Sequence, residues 1–301
     1  SFQVRAKNFL MFTVGNAEFI HRQANFAALS ILANTVPEDR ATITIITDRP
    51  DWYAWLGDRI SVLPIDHKTL TEWRGVHDHF FRIKIKAMQL MVERLPGDLI
   101  YLDSDVACDG PLNDFLEQLA RGQCFMDERV YLLSGRGGSA RETWVKARGN
   151  TYGKFTITED SAMWCAGVVA LPAERSTEYL ADALECMDQM CAGKLHKNHL
   201  EQLALSLSLS RGGDLKPTTQ WLKHYWGNKD PWNALIAAFL GNVGVKALSV
   251  EQACQAFREM KLDVPRILRR SRLERFAVSV GKRVKVRDTA QEASVKALLT
   301  R

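Results

Sequence analysis

The stretch Leu99-Ile100-Tyr101-Leu102-Asp103-Ser104-Asp105-Val106 constrains this chain more than any other, because an apolar run ends abruptly in two acids spaced i, i+2. It is bounded by Gly97-Asp98 before and Asp109-Gly110-Pro111 after, which marks a short buried strand that exits into a loop. A strand apolar on both faces belongs inside a sheet covered on both sides. Side chains two apart on an extended chain point the same way, so Asp103 and Asp105 are expected to reach one hard cation.

The surrounding sequence supplies the rest of such a sheet. Apolar runs at Asn8–Val14 and Ala41–Thr47, with a shorter one at Arg59–Pro64, alternate with helical patterns. Gly15-Asn16 makes a tight turn between the first strand and a helix through Phe19, Ala27, Leu29 and Leu32, the opening of a nucleotide-binding unit. The pattern predicts an α/β fold with a Rossmann-like, mostly parallel sheet flanked by helices, and it puts the two acids at the sheet's carboxyl edge, where open α/β folds bind ligands. A helix over Phe80–Arg94 precedes the acidic strand and carries Arg82 and Lys86 on one face.

Further along, a helix at Leu112–Leu119 and a strand at Gln123–Met126 are expected. The glycine-rich, basic segment Arg129–Phe155 reads as a flap over a phosphate-bearing ligand or as a disordered loop. Ala162–Leu171 reads as a strand interrupted by Ala166-Gly167, followed by helices at Ala173–Cys191 and Lys197–Ser210. The aromatic stretch Lys223–Trp232 is expected to build an irregular wall, and Ala247–Met260 a last amphipathic helix.

Apolar residues make up 46% and charged residues 25% of the chain, which excludes a disordered polymer. From Val264 to Arg287 nine basic residues face one acid, more than the whole chain's net charge of +5, so the body is net acidic and not a nucleic-acid-binding surface. The division expected is a catalytic domain over residues 1–262 and a basic helical tail over 263–301, the tail suited to an anionic lipid leaflet or to the negative body. Six cysteines without CxxC spacing read as free thiols of a reducing compartment. With no apolar run long enough to span a bilayer and no signal-peptide pattern, a cytoplasmic protein is expected, at the inner face of the membrane if the tail binds there.

Two ionised carboxylates suit Mg²⁺ or Mn²⁺, and His224 is an acceptable third ligand for Mn²⁺, with Gly227 three residues on leaving room for phosphate oxygens. These residues carry a resemblance. Tyr101-Leu102-Asp103-Ser104-Asp105-Val106 resembles the DxD motif of GT-A fold glycosyltransferases, and His224-Tyr225-Trp226-Gly227 through Pro231-Trp232 resembles the HxxGxxKPW motif of the retaining glycosyltransferase family 8. The resemblance covers residues 8 to about 235.

It implies a GT-A fold and transfer of a hexose, galactose or glucose, from a UDP-sugar to a saccharide or glycolipid acceptor with retention of configuration. Mn²⁺ (or Mg²⁺) would be held by Asp103, Asp105 and His224. Donor contacts would come from Thr13, Asn16, Ser104, Ala166, Gly167, Gly227 and Lys229, with Arg82 or Lys86 on the diphosphate. Trp164-Cys165-Ala166-Gly167-Val168 is similar to the family's strand beside the donor, and Glu201-Gln202 resembles the pair that faces the transferred sugar, with Gln202 lining the developing oxocarbenium face. Three positions depart from the family pattern. Asp230 stands where its lysine would fall, with Lys229 one position early; Cys165 stands for an asparagine; and Gly15-Asn16 stands for acids. Asp127 is expected to contact the acceptor or to sit in a surface turn. Two other readings of the same residues are an Mg²⁺-dependent aspartyl-phosphate phosphatase, whose acidic pair would be Glu159-Asp160, and a non-catalytic binder of nucleotide sugars or membrane surfaces.

Overall fold

The computed structural model describes residues 5–268 apart from residue 136. Its first half alternates strand and helix: β1 (Lys7–Thr13), α1 (Glu18–Asn34), β2 (Ala41–Thr47), β3 (Ser61–Pro64), α2 (His67–Arg74), α3 (Arg82–Arg94), β4 (Asp98–Leu102) and β5 (Val106–Cys108). Next come α4 (Asn113–Ala120), β6 (Phe125–Met126), β7 (Arg129–Leu132), α5 (Ser139–Ala147), β8 (Thr151–Tyr152), β9 (Phe155–Thr156), β10 (Ala162–Trp164) and β11 (Val168–Leu171). The chain continues through α6 (Ala173–Ala192), α7 (Leu200–Leu209), β12 (Lys216–Pro217), β13 (Leu222–His224), α8 (Lys229–Val245) and α9 (Val250–Glu259).

Seven strands form one sheet in the order β12-β6-β11-β4-β1-β2-β3. β1, β2, β3 and β4 are mutually parallel, β6 pairs with β12 in parallel, and β11 alone runs antiparallel to its neighbours β4 and β6. The chain is thus α/β with a mostly parallel sheet. β1 shows why it folds this way. Phe9 and Met11 enter the hydrophobic layer shared with α1, α8 and α9, while Leu10 enters the opposite layer shared with α3, α6 and α7. A strand with an apolar residue on every face is stable only between two helical layers. From β1 the chain steps outward to β3, then returns through α2 and α3 to β4 on β1's other side. Strand order reverses there, which opens a crevice at the carboxyl ends of β1 and β4.

Several elements differ from their sequence expectation. Arg129–Phe155 is no flap: it contains β7, a 3-10 turn at Leu133–Gly135, α5 and the β8–β9 hairpin, with Leu133, Trp144, Ala147 and Tyr152 buried in the α6–α7 layer. Its glycines punctuate short elements and do not loosen one long loop. Ala162–Leu171 is two strands, since β10 pairs with β7 while β11 joins the main sheet, and Cys165–Gly167 forms the break. The aromatic wall is ordered as β13 and the start of α8, because Pro231 falls in the first helical turn, where its missing N–H is not needed. The last helix begins later than expected, where Ser249 and Gln252 form a capping box. Asp263–Leu268, the start of the expected helical tail, is irregular, and the remainder of that tail lies outside the described residues. Among the described residues no helix is long and apolar enough to cross a membrane.

Candidate metal centre

One rim of the sheet collects every group that matters. β4 delivers Asp103 and Asp105 to its carboxyl end, and the parallel β6 delivers Asp127 to the same rim. Because β11 runs the other way, it is the residues before it, Cys165–Gly167, that reach this rim. The Asp103 N–H donates to the Gly167 carbonyl at 2.8 Å and fastens the two strand ends together. β13 pairs antiparallel with β5, setting His224 opposite Val106, and the Tyr225 N–H donates to the Asp105 carbonyl at 3.1 Å. Backbone bonds alone therefore bring His224 to acids about 120 residues earlier in the chain.

His224 is buried among three partners. Its Nε2 lies 3.2 Å from Asp105 Oδ1, and its Nδ1 lies 2.7 Å from Asp127 Oδ2 and 3.5 Å from Cys165 Sγ. Its ring occupies the space a side chain would fill at Gly167, where a Cβ would stand 2.3 Å from the ring. Burial works against charge on this imidazole, but its bonds to Asp105 and Asp127 outweigh burial and raise its pKa well above the ordinary histidine value. Burial would likewise raise Asp105, yet His224 and Lys229 hold it below the usual carboxylate range. Lys229 Nζ is 2.9 Å from Asp105 Oδ2.

Asp103 is held separately. Lys84 Nζ lies 3.0 Å from its Oδ1 and also donates to the Ala166 carbonyl at 3.1 Å, and Tyr101 Oη donates to the same carboxylate at 3.1 Å. Lys84 is buried, which opposes its charge, but Asp103 and Glu201 more than offset this and raise its pKa. Glu201 is itself buried, and its Oε2 has no hydrogen-bond partner among the described residues.

Asp103, Asp105 and His224 each offer a ligand atom, all within 4.8 Å of one another. In an octahedral shell with bonds of about 2.1 Å, neighbouring ligand atoms stand about 3 Å apart, which the 3.2 Å between His224 Nε2 and Asp105 Oδ1 matches. Two carboxylates and an imidazole give a mixed oxygen and nitrogen donor set for a divalent cation. Asp127 then fills the position behind the histidine, accepting from Nδ1 so that Nε2 faces the cation side. It is no surface turn: it is fully buried.

The other expected residues divide. Gly167 and Ala166 line the centre, and Gln202 braces it, its Oε1 accepting from the Ala166 N–H at 2.9 Å and its Nε2 bonded to His199 Nδ1 at 2.9 Å. Ser104 donates to Gln23 Oε1 at 3.0 Å, beside the acids. Arg82 is elsewhere, since its guanidinium pairs with Asp188 of α6 at 2.8 Å and donates to the Trp73 carbonyl. Lys86 shares Arg82's side of α3, so the basic contact to the acidic strand comes from Lys84, two residues from either and on the opposite face. Thr13 is buried and bonded to Tyr53 Oη at 2.8 Å, which in turn meets His21. Asn16 is exposed at the crevice rim and accepts from Arg49. Gly227 meets the C-terminal segment, where Ile267 packs 3.1 Å from its Cβ position. Asp230 is exposed, while Lys229 one position earlier makes the contact to Asp105, so the departure in the aromatic motif leaves a lysine at the site.

No protein-family model matches the chain, and no curated protein matches it.

Sequence reasoning missed Lys84, naming Arg82 or Lys86 in its place, and did not foresee the burial of Asp127 behind His224. A lysine amid Ile83, Ile85, Ala87 and Met88 was the available signal, since a charge on a buried face needs a partner.

Proposed function

We propose that this protein is a metal-dependent glycosyltransferase of the GT-A fold, moving a hexose from a UDP-sugar to a saccharide or glycolipid acceptor with retention. The observation that carries this reading is the convergence of Asp103, Asp105 and His224 at the strand-order reversal of a mostly parallel sheet, with Asp127 set behind the histidine. Asp103, Asp105 and His224 would hold Mn²⁺ or Mg²⁺, which when bound neutralises charge on a leaving diphosphate.

The chain's own groups do the remainder. Lys84 and Lys229 each pair an ammonium with one of the two acids, which offsets the rim's negative charge toward phosphate oxygens. The small residues Gly167 and Ala166 let the His224 ring and the Lys84 ammonium approach the strand closely. Glu201 keeps a buried carboxylate near Lys84, and Gln202 holds the Ala166 N–H while Lys84 holds the Ala166 carbonyl. The acceptor's proton is taken by the departing diphosphate in a front-face displacement, with no covalent sugar adduct on the enzyme. Any lipid contact of the basic tail belongs to this proposal as well, and liposome co-sedimentation lost on deleting residues 269–301 tests it.

One observation favours a second reading. His224 and Lys229 already neutralise Asp105, as Lys84 does Asp103, so the rim is able to bind an anionic ligand without turnover. The acids required by a phosphatase, Glu159 and Asp160, are exposed in the turn ahead of β10 and are not among the residues gathered at Asp103. The test is UDP release from a panel of UDP-sugars with Mn²⁺ and with chelator. Mn²⁺-dependent release supports the transferase; UDP binding with no release on any donor overturns it in favour of the binding protein; a trapped adduct on Glu201 overturns the front-face step.

A further inference from the structure

His224 has a second chemical face. Behind the ring, Nδ1, Cys165 Sγ and a carboxylate oxygen of Asp127 each offer a ligand atom, all within 4.8 Å of one another. This set is softer than the acidic one, since a thiolate and an imidazole prefer zinc-like ions over Mg²⁺ or Mn²⁺. We propose that Asp127, Cys165 and His224 Nδ1 form a separate site for Zn²⁺, which competes with the hard-metal site on the other side of the same imidazole.

Two independent observations support it. In a tetrahedral zinc shell with bonds of about 2.3 Å to sulfur and about 2.0 Å to nitrogen, the two ligand atoms stand about 3.5 Å apart. Cys165 Sγ and His224 Nδ1 are 3.5 Å apart. The second observation concerns Asp127. It is fully buried, its Oδ2 contacts Nδ1 at 2.7 Å, and its Oδ1 has no hydrogen-bond partner among the described residues. A buried carboxylate oxygen without a donor is costly unless something else satisfies it, and a cation does so. Cys165 is only half-buried, which leaves a route for the ion and for a water at the fourth position.

Competition follows from the number of lone pairs. Neutral imidazole has one, and the other ring nitrogen keeps its proton. When zinc binds, Zn–S, Zn–N and Zn–O bonds form, the Sγ and Nδ1 protons pass to solvent, and the proton left on Nε2 is donated to Asp105. That proton occupies the nitrogen a hard metal would use. With a hard metal on Nε2, Nδ1 keeps its proton for Asp127 and offers zinc nothing. Cys165 thus makes His224 a selector between two classes of metal.

The assignment does not depend on glycosyl transfer, and Co²⁺ tests it directly as a spectroscopic stand-in for Zn²⁺. Added to the reduced full-length chain, Co²⁺ is expected to give a thiolate-to-cobalt charge-transfer band at one equivalent, abolished by excess Zn²⁺. Cys165→Ala should lose the band while keeping its melting temperature and circular dichroism, and Asp103→Asn should retain it. No band in the wild-type chain, an undiminished band in Cys165→Ala, or loss of the band in Asp103→Asn each overturns a separate soft site. UDP release is read apart from all three, so failure here leaves the transferase reading standing, and the reverse holds too.

Discussion

Replacing Gly167 by alanine is a direct test of how His224 is held. The new Cβ would lie 2.3 Å from the imidazole, against an ordinary contact distance of roughly 3.4–4 Å, so ring or strand must shift by more than about 1 Å. The strand is fixed by the Asp103–Gly167 backbone bond and by β11's pairing on both sides, which leaves the ring to move. A move of that size disturbs the geometry of the 2.7 Å contact to Asp127 and the 3.2 Å contact to Asp105. Overpacking by one methyl costs about 1–3 kcal/mol, and loosening a partner of a fully buried carboxylate takes the total to the top of that range. A loss of about 3 kcal/mol corresponds to a fall of about 5 °C in melting temperature for a chain of this size. The assay is thermal unfolding of a cycle comprising wild type, Gly167→Ala, His224→Ala and the double variant. With the ring gone the alanine has nothing to strike, so its cost should shrink by at least about 1 kcal/mol. If Gly167→Ala costs the same with and without His224, the packing account is wrong.

The buried His224–Asp105 pair makes stability depend on pH from both sides. The raised His224 pKa gives a contribution that is full below the ordinary imidazole value of about 6.5 and fades as pH climbs toward the folded value, while the depressed Asp105 pKa gives one present above about 3.9 and lost as pH falls. In chelator the melting temperature should therefore decline above about pH 6.5, His224→Gln should remove that decline, and Mn²⁺ affinity, which needs a free Nε2, should rise over the same interval. Lys84→Met should weaken UDP binding at least about 10-fold by calorimetry, because a charge-assisted contact is worth about 1.5–3 kcal/mol, whereas Arg82→Ala should leave UDP binding within about twofold and lower only stability. Lys229→Met should tighten Mn²⁺ in the absence of nucleotide by freeing Asp105 Oδ2, and should weaken UDP in the presence of Mn²⁺; the same sign in both titrations would refute its place at the rim.

The sheet and its acidic strand were legible because local pattern determines them. An apolar run ending in Asp103-Ser104-Asp105 needs no distant partner to be read, and the helical interludes leave few ways to connect the strands. What could not be read was direction. Arg82 and Lys86 drew attention because they are four apart on one face of α3, yet that face meets Asp188 of α6, and only the packing of α3 turns Lys84 toward Asp103. Asp127 follows a two-residue strand, too short for its edge position to be inferred, and its importance comes from a ring 97 residues later. Pro231 looked like an obstacle to regular structure because a proline's effect depends on which helical turn it enters, and the sequence does not mark where α8 begins. His224 stood out only by its aromatic setting, in which Tyr225 stacks on Trp232 with ring centres 4.4 Å apart.

The segment that closes the described chain carries a consequence for the order in which the molecule is made. The Pro265 carbonyl accepts from Asn228 Nδ2 at 2.7 Å and from Trp232 Nε1 at 3.1 Å, Arg266 grips Glu128 with both guanidinium nitrogens, and Ile267 lies along Gly227. These contacts brace the loop after His224 and the residue after Asp127. During synthesis the acids emerge first, the histidine long after them, and the brace after both. A nascent chain short of residue 265 therefore has its carboxylates in place but no latch on the loop beside its imidazole, and the rim reaches its finished form only once residues 265–267 have emerged.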